Sequence, residues 1–233
     1  MRKPRHIVAY GPQCLLLEWE QCIDPSISRG VHTYASIISQ WSEVIACTPA
    51  YASLLVGLSE PRMVNEIRER IYSLKMLDEY YPLTSLKCLP VCYGGDLGPD
   101  LSTSASLVGM DESTYSGKHA AESYLVYQLG YVPGFAFLGR LPEELSVPRL
   151  VNPRTKVPVG SVAVAGRQTA IYPSAVPGGW RIIGRCPLPL LNETARHATD
   201  LAVLQPGEMV KFVAIKRKEF DRLLKNPEIW TID

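Results

Sequence analysis

Apolar positions in the first part of the chain follow two periods, one typical of strands and one typical of helices. Residues 6–20 alternate around the Gly11-Pro12 pair, which predicts a hairpin whose second strand covers residues 14–19. Asp24 and Pro25 then form a good helix start, with Asp24 as N-cap and Pro25 at the first helical position. The helix that follows carries one apolar face at spacings of four, three, four and three. That face consists of Ile27, Val31, Tyr34, Ile38 and Trp41.

The same alternation of strand and helix continues to residue 95. Residues 43–58 contain two apolar runs and predict strand. A second helix is predicted to begin at Ser59 and Pro61, and its buried stripe is Val64, Ile67, Ile71, Leu74 and Leu77. Residues 86–93 predict a further strand that ends at Gly94-Gly95. The order strand–helix–strand–helix–strand predicts a small α+β domain over residues 1–95, with two helices on one face of a sheet.

Residues 96–233 are rich in short apolar runs separated by glycine and proline. Residues 94–106 contain many turn formers and predict a connector between two domains. Residues 110–121 predict a short helix that Asp111 or Ser113 caps. Strands are predicted at 124–129, 161–164, 170–172, 180–183 and 209–215, and a terminal helix at 218–225. Short strands with glycine at the bends favour a closed or nearly closed β-barrel.

Composition and charge narrow the classes of function. The chain has 233 residues, 46% of them hydrophobic, and a formal net charge of +1. A chain of this size is long enough to bury a sizeable hydrophobic core. Its net charge near zero argues against nucleic acid as a partner. No apolar run approaches the ~20 residues of a membrane helix, and no secretory signal is expected at the N-terminus.

The six cysteines are scattered through apolar surroundings, which is typical of free buried thiols in a cytoplasmic protein. The four histidines form no ligand cluster with them, so we expect no metal.

Separate sequence blocks, in one order, carry a resemblance to a known family. They read V-C-Y-G-G with G-P-D-L (91–101), His119, G-Y-V-P-G-F-A-F-L-G (130–139), P-R-L and P-R (148–154), G-S-V-A-V-A-G (160–166), Q-T-A-I-Y-P (168–173) and P-G-G-W-R-I-I-G-R (177–185). The chain resembles the allophanate hydrolase subunit 1 family over nearly its whole length. The resemblance implies an α+β fold in which an N-terminal α+β domain precedes a cyclophilin-like β-barrel.

The resemblance also implies an activity and partners. The family includes one component of an ATP-dependent 5-oxoprolinase, which opens 5-oxoproline to L-glutamate. The expected partners are a larger homologous subunit, of the 5-oxoprolinase C type or the allophanate hydrolase subunit 2 type, and a third component of the 5-oxoprolinase A type. ATP is expected to bind to the assembled complex, because this chain has no G-x-x-x-x-G-K-[ST] motif.

The candidate site residues follow from what this chemistry requires. Guanidinium groups bind carboxylate or phosphate through two parallel hydrogen bonds, which suits Arg149, Arg154 and Arg185. The family pattern favours His119 as the general base, since histidine titrates near neutrality. The remaining candidates for substrate or anion binding are Gln168, Thr169, Tyr172, Gly178 and Gly179.

Plainer interpretations stand beside each of these roles. A lone histidine near a helix end is more often structural, an isolated arginine is more often an ion-pair residue, and Gly178-Gly179 is more often a turn. Two other functions also stay open. The chain could be a non-catalytic module that inhibits a sensor histidine kinase, which is a known role in the family that it resembles. It could also take part in urea or allophanate metabolism, although no Ser-Ser-Lys amidase signature occurs.

Overall fold

The chain forms two compact units, Met1–Leu83 and Thr84–Asp233. The computed structural model describes residues 2–74, 86–197 and 200–231. Over those ranges, no helix has both the length and the apolar character that a membrane crossing requires.

The first unit is a four-stranded antiparallel sheet with two helices. Its elements are β1 (His6–Ala9), β2 (Cys14–Glu18), α1 (Pro25–Ile38), β3 (Val44–Pro49), β4 (Ser53–Leu58) and α2 (Val64–Tyr72). The strand order is β1-β2-β4-β3, and each neighbouring pair runs antiparallel. The predicted hairpin and the two predicted helices are confirmed.

The core of the first unit lies between the helices and one face of the sheet. Leu15 of β2 pairs with Val56 of β4, and Leu17 pairs with Leu54, so these apolar side chains share a face. They form one buried cluster with the predicted stripes of α1 and α2. Asp24 begins α1 as predicted, because its carboxylate accepts the backbone N–H groups of Ser26 and Ile27. The last predicted residue of the second stripe, Leu77, lies outside the described residues.

The second unit contains a closed barrel of seven strands, which confirms the predicted barrel and the α+β class. Its strands are β5 (Leu86–Tyr93), β6 (Ser123–Leu129), β7 (Ala136–Gly139), β9 (Ser161–Ala165), β10 (Gln168–Ile171), β12 (Arg181–Arg185) and β13 (Met209–Ala214). The barrel order is β10-β7-β6-β13-β5-β12-β9, in which β13 and β5 run parallel. Outside the barrel, β8 (Arg154–Val157) and β11 (Val176–Gly178) form a two-stranded ribbon, and the helices are α3 (Leu101–Leu107), α4 (Glu112–Ala121) and α5 (Arg217–Lys225).

Both faces of strand β9 are buried, because the ribbon covers the outside of the barrel there. Val162 and Val164 point into the barrel and belong to its main core. Ala163 and Ala165 point outward and pack in a second cluster with Val157 of the ribbon. The strand therefore reads as a continuous apolar run rather than an alternating one.

Three parts of the second unit differ from the sequence predictions. Strand β5 is present where expected, but it pairs with β12 and β13 of the barrel and therefore belongs to the second unit, not to residues 1–95. The expected connector at 94–106 contains a 3₁₀ turn and helix α3. Strands β7, β8 and β11 were missed, since each has only three or four residues and lies between glycine and proline positions.

We expect two glycines of the barrel to differ sharply in their tolerance of alanine. Gly160 has φ of +79°, and an added Cβ would lie 2.2 Å from the carbonyl oxygen of Cys186. Gly166 also has positive φ, +54°, but no described atom lies within 4 Å of its added Cβ. Gly166→Ala should cost ~1 kcal/mol of unfolding free energy from backbone strain alone. Gly160→Ala should cost ~3 kcal/mol or more, since the backbone must also move.

Urea unfolding of both variants, followed by circular dichroism, measures the difference. Equal losses in the two variants would show that the close approach of Gly160 to Cys186 does not constrain the barrel.

Candidate functional site

The predicted site residues lie in three places in the second unit. Arg154 and Arg185 line one pocket outside the barrel. Tyr172 and Gly178 lie in an aromatic cluster, and Arg149 sits over Trp180 of that cluster. His119 and Thr169 meet in the buried interior.

The pocket is positively charged, and we call it the cationic pocket. It lies outside the barrel, where the ribbon strand β8 passes strands β9 and β12, and has a volume of about 230 Å³. Its lining includes Asp96, Arg154, Lys156, Ser161, Ile182 and Arg185, and the rest of the wall is apolar.

Arg154 is held in the pocket by a buried carboxylate. Its Nη2 donates to Asp100 Oδ1 at 2.7 Å, and Asp100 Oδ2 accepts the backbone N–H of Ile182 at 2.7 Å. The second terminal nitrogen of the guanidinium, Arg154 Nη1, is also buried. It makes no hydrogen bond with any part of the chain that the structure describes. Buried donors are nearly always paired in folded proteins, so this nitrogen is an exception that needs an explanation.

A tight turn places Asp100. The backbone N–H of Asp100 donates to the carbonyl oxygen of Ile182 at 2.9 Å. Gly98 approaches the barrel so closely that an added Cβ would lie 2.2 Å from the carbonyl oxygen of Ile183. Only glycine permits that approach. The block G-G-D-L-G-P-D-L therefore positions the carboxylate that orients Arg154.

The other charges of the pocket have different partners. Arg185 Nε donates to the neutral carbonyl of Val159 at 2.7 Å. Asp96 pairs with Arg217 at 2.6 Å. The exposed Lys156 makes no ion pair with any carboxylate of the described ranges. Arg154 is paired with Asp100, whereas Arg217 is shared between Asp96 and Asp221. Lys156 and Arg185 outweigh that additional carboxylate, so the pocket and its ion-pair partners keep an excess of positive charge.

Tyr172 and Trp180 belong to packed aromatic surroundings on the outer face of the barrel. Phe135 contacts both rings edge-on, at centroid distances of 5.0 and 6.1 Å. Burial raises the pKa of Tyr172 to about 12. An added Cβ at Gly178 would lie 2.4 Å from Tyr172 Oη, so this glycine makes room for the ring. The cluster therefore supports packing of the ribbon on the barrel.

The remaining anion-binding candidates do not line the cationic pocket. The guanidinium of Arg149 is exposed and lies 5.9 Å from the centre of the Trp180 ring. Gly179 accepts the backbone N–H of Leu150 through its carbonyl, and Gln168 begins strand β10 at a half-buried position. Their predicted roles in anion binding stay predictions.

His119 lies inside the barrel end that helix α4 covers. The alternation along β5, β10 and β13 points Tyr93, Thr169 and Phe212 to the interior, and His119 reaches all three from α4. His119 Nδ1 lies 2.8 Å from Tyr93 Oη, and Nε2 lies 2.9 Å from Thr169 Oγ1. The imidazole also stacks on Phe212, with ring centroids 4.9 Å apart. The side chain is fully buried.

The hydrogen bonds of Thr169 indicate which nitrogen of His119 carries the proton. Thr169 Oγ1 donates to the carbonyl of Ala163 at 3.1 Å, which uses its single proton. We infer that His119 Nε2–H donates to Thr169 and that Tyr93 Oη–H donates to Nδ1. Burial lowers the pKa of His119 to about 3, so the ring is neutral at physiological pH. With both nitrogens engaged, the geometry weighs against His119 as a base for water, and that role stays a prediction.

Comparisons with known proteins place the chain in a family. The model of the family described as carboxyltransferase domain, subdomain C and D, matches residues 5–201. The chain belongs to this family. The resemblance that the sequence blocks indicated is therefore confirmed.

Two relatives of this member of the carboxyltransferase-domain family match most of its sequence. It is 33% identical over 227 residues to the B subunit of the 5-oxoprolinase of Bacillus subtilis (strain 168), a match that covers 90% of this chain and 92% of that protein. It is 35% identical over 208 residues to the B subunit of the 5-oxoprolinase of Escherichia coli O157:H7, a match that covers 88% of this chain and 94% of that protein.

A solved structure supports the same fold. The crystal structure of TTHA0988 superposes with a TM-score of 0.76 at 28% sequence identity. The match covers 88% of this chain and 40% of that chain, so this family member spans less than half the length of TTHA0988.

Sequence reasoning missed Asp100, Lys156 and Ser161 of the cationic pocket and its immediate surroundings. Asp100 lies in one of the family blocks, G-P-D-L, and that was a usable signal. Lys156 lies two residues after Arg154 on strand β8, which was not predicted, so the two share a face. Ser161 is the first residue of β9.

We expect the buried His119 to make stability depend on pH. Its pKa is about 3 in the folded chain and ~6.5 when unfolded, so between those values the unfolded state binds the additional proton. Stability should therefore fall as the pH falls below ~6.5, by ~2 kcal/mol at pH 5 relative to pH 7. His119→Gln removes the titrating group and should lack this part of the loss. Urea unfolding of both proteins at pH 7 and pH 5 measures it, and an equal pH dependence would contradict the assignment.

Proposed function

We propose that this chain is one component of an ATP-dependent 5-oxoprolinase, which opens 5-oxoproline to L-glutamate together with partner subunits. Two relatives that match about nine-tenths of the chain carry the name of the B subunit of 5-oxoprolinase. Their names place them in a multi-subunit enzyme, and the proposal extends that assembly to this chain.

The observation that carries the proposal is the state of His119. This histidine is the candidate base that the sequence offers, and it is fully buried, neutral and hydrogen bonded at both ring nitrogens. A base that activates water must reach the water directly or through one bridging molecule. We therefore propose that the base comes from a partner chain, in keeping with a chain that works within a complex.

The chemistry explains why such a complex uses ATP. The lactam carbonyl of 5-oxoproline is a poor electrophile. Transfer of the γ-phosphoryl group of ATP to the carbonyl oxygen would leave ADP and make the carbon reactive. Water would then add to that carbon, and the ring C–N bond would break to leave γ-glutamyl phosphate. A second water would hydrolyse this acyl phosphate to glutamate and inorganic phosphate. Cations that hold the substrate carboxylate and the phosphate lower the barrier by fixing both groups.

We assign only part of that task to this chain. The cationic pocket supplies Arg154, Lys156 and Arg185 as anion-binding groups. ATP is proposed to bind to the assembled complex, whose other members are a larger homologous chain and a third chain. For Arg149, Gln168 and Gly179 we propose a smaller part, as members of the surface that faces the partner chains.

Reconstitution tests the proposed function. This chain, purified together with a larger homologous chain and a third chain of the 5-oxoprolinase types proposed above, should release phosphate from ATP only when 5-oxoproline is present. Release should stop when this chain is omitted, because the site would then be incomplete. L-Proline is the matched control substrate, since it has the same ring and carboxylate but no lactam carbonyl.

An assembled complex without 5-oxoproline-dependent phosphate release would contradict the proposal. If the chain then slowed the autophosphorylation of a sensor histidine kinase, the regulatory alternative would replace it.

A further inference from the structure

The cationic pocket has a charge imbalance that the rest of the described chain does not correct. Arg154 is paired with Asp100, and Arg217 is shared between Asp96 and Asp221. Lys156 and Arg185, which face the same space, have no carboxylate partner among the described residues. Two like charges in one small pocket repel each other more strongly than they would in open water. An anion between them would remove that repulsion.

The second observation is the unsatisfied nitrogen of Arg154. Nη1 is buried beside the nitrogen that binds Asp100, and it lacks a hydrogen-bond acceptor in the described chain. A charged donor without a partner costs more free energy than a neutral one. The hydrogen bond and ion pair with Asp100 hold the Arg154 guanidinium at the wall of the pocket. Its positive charge is therefore in place before any ligand arrives.

The third observation is the size of the pocket. Its volume of about 230 Å³ is smaller than the roughly 300–1,000 Å³ of pockets that enclose a complete drug-sized ligand. It fits a small anion or the anionic end of a larger molecule. Ser161, at the start of β9, lines the same space and offers a hydroxyl group that can donate to an oxygen atom.

We propose that the cationic pocket is an oxyanion-binding site in which Arg154, Lys156 and Arg185 hold a carboxylate or phosphate group. Arg185 donates through the guanidinium nitrogens that Val159 does not use, Arg154 adds a positive charge that Asp100 holds in place, and Lys156 adds charge at the entrance. The existence of the site follows from this geometry. Its ligand within a complex, either the substrate carboxylate or a phosphate of ATP, rests on the proposed function.

Titration of the full chain alone tests the site without any turnover. Inorganic phosphate, 5-oxoproline, glutamate and ATP are added separately at constant ionic strength, and backbone amide shifts are followed by NMR. At least one probe should saturate, with the largest shifts at Ser161 and Ile182. Saturation by 5-oxoproline or glutamate identifies a carboxylate site, and saturation by phosphate or ATP identifies a phosphate site. The absence of saturation with all four probes would overturn the proposal.

Matched variants separate this site from general attraction of anions. Arg181 and Arg185 both lie on β12 and each donates Nε to a backbone carbonyl, at 2.8 and 2.7 Å, but only Arg185 lines the pocket. Arg185→Gln should weaken binding ~10-fold, the loss expected for one charge-assisted hydrogen bond. Arg181→Gln should change it by less than ~2-fold, within ordinary surface effects. Equal weakening in both variants would overturn the proposal.

A second variant guards against loss of folding. Lys156 is exposed, so Lys156→Gln should leave the spectrum of the free chain intact and still weaken binding ~3-fold or more. Unchanged affinity in both Lys156→Gln and Arg185→Gln would place the anion elsewhere and overturn the proposal. Failure of the reconstituted complex to turn over 5-oxoproline would instead contradict the proposed function, since this binding is measured on one chain.

Discussion

The carboxylate of Asp100 is the interaction on which the outer side of the barrel depends. One oxygen accepts the backbone N–H of Ile182 in strand β12, and the other accepts Nη2 of Arg154 in the ribbon. A single side chain thus joins the barrel to the ribbon that covers it. It holds this position because Gly98 allows the preceding turn to touch the backbone of Ile183. The buried carboxylate of Asp100 would be costly without its partner, and the half-buried guanidinium of Arg154 supplies that partner.

The barrel divides the chemistry of the second unit between two faces. Its interior is packed with aliphatic and aromatic side chains, and His119, buried among them, is neutral and hydrogen bonded to Tyr93 and Thr169. The cationic groups of the pocket lie outside the barrel, on the ribbon strand β8 and on β12. The interior therefore sets stability and its pH dependence, while the outer face carries the charges of the proposed anion site. A closed, filled barrel can accommodate such a site because the site does not need the interior.

Much of the fold could be predicted from local pattern. The hairpin, the Asp24 cap and the stripes of α1 and α2 followed from periods of two and 3.6, because each repeat lies within one element. The assignment of β5 to the first unit failed because its partners are β12 and β13, about 95 and 120 residues later in the chain. Strand pairing over such distances leaves no local period. The short strands of the ribbon were missed for a related reason, since three or four residues carry too little pattern.

The sequence by itself determined the family and the presence of a barrel, because blocks of glycine, proline and arginine are readable in the local order of the chain. It also offered Arg154 and Arg185 as candidates for anion binding, a role that stays a prediction. Only the tertiary structure decided which of these residues act together. It brought Arg154 and Arg185 to one pocket with Lys156, left Arg149 on Trp180, and enclosed His119 in the barrel. Burial and hydrogen bonding depend on neighbours distant in sequence, and those neighbours decide whether a histidine is a base or a buried support.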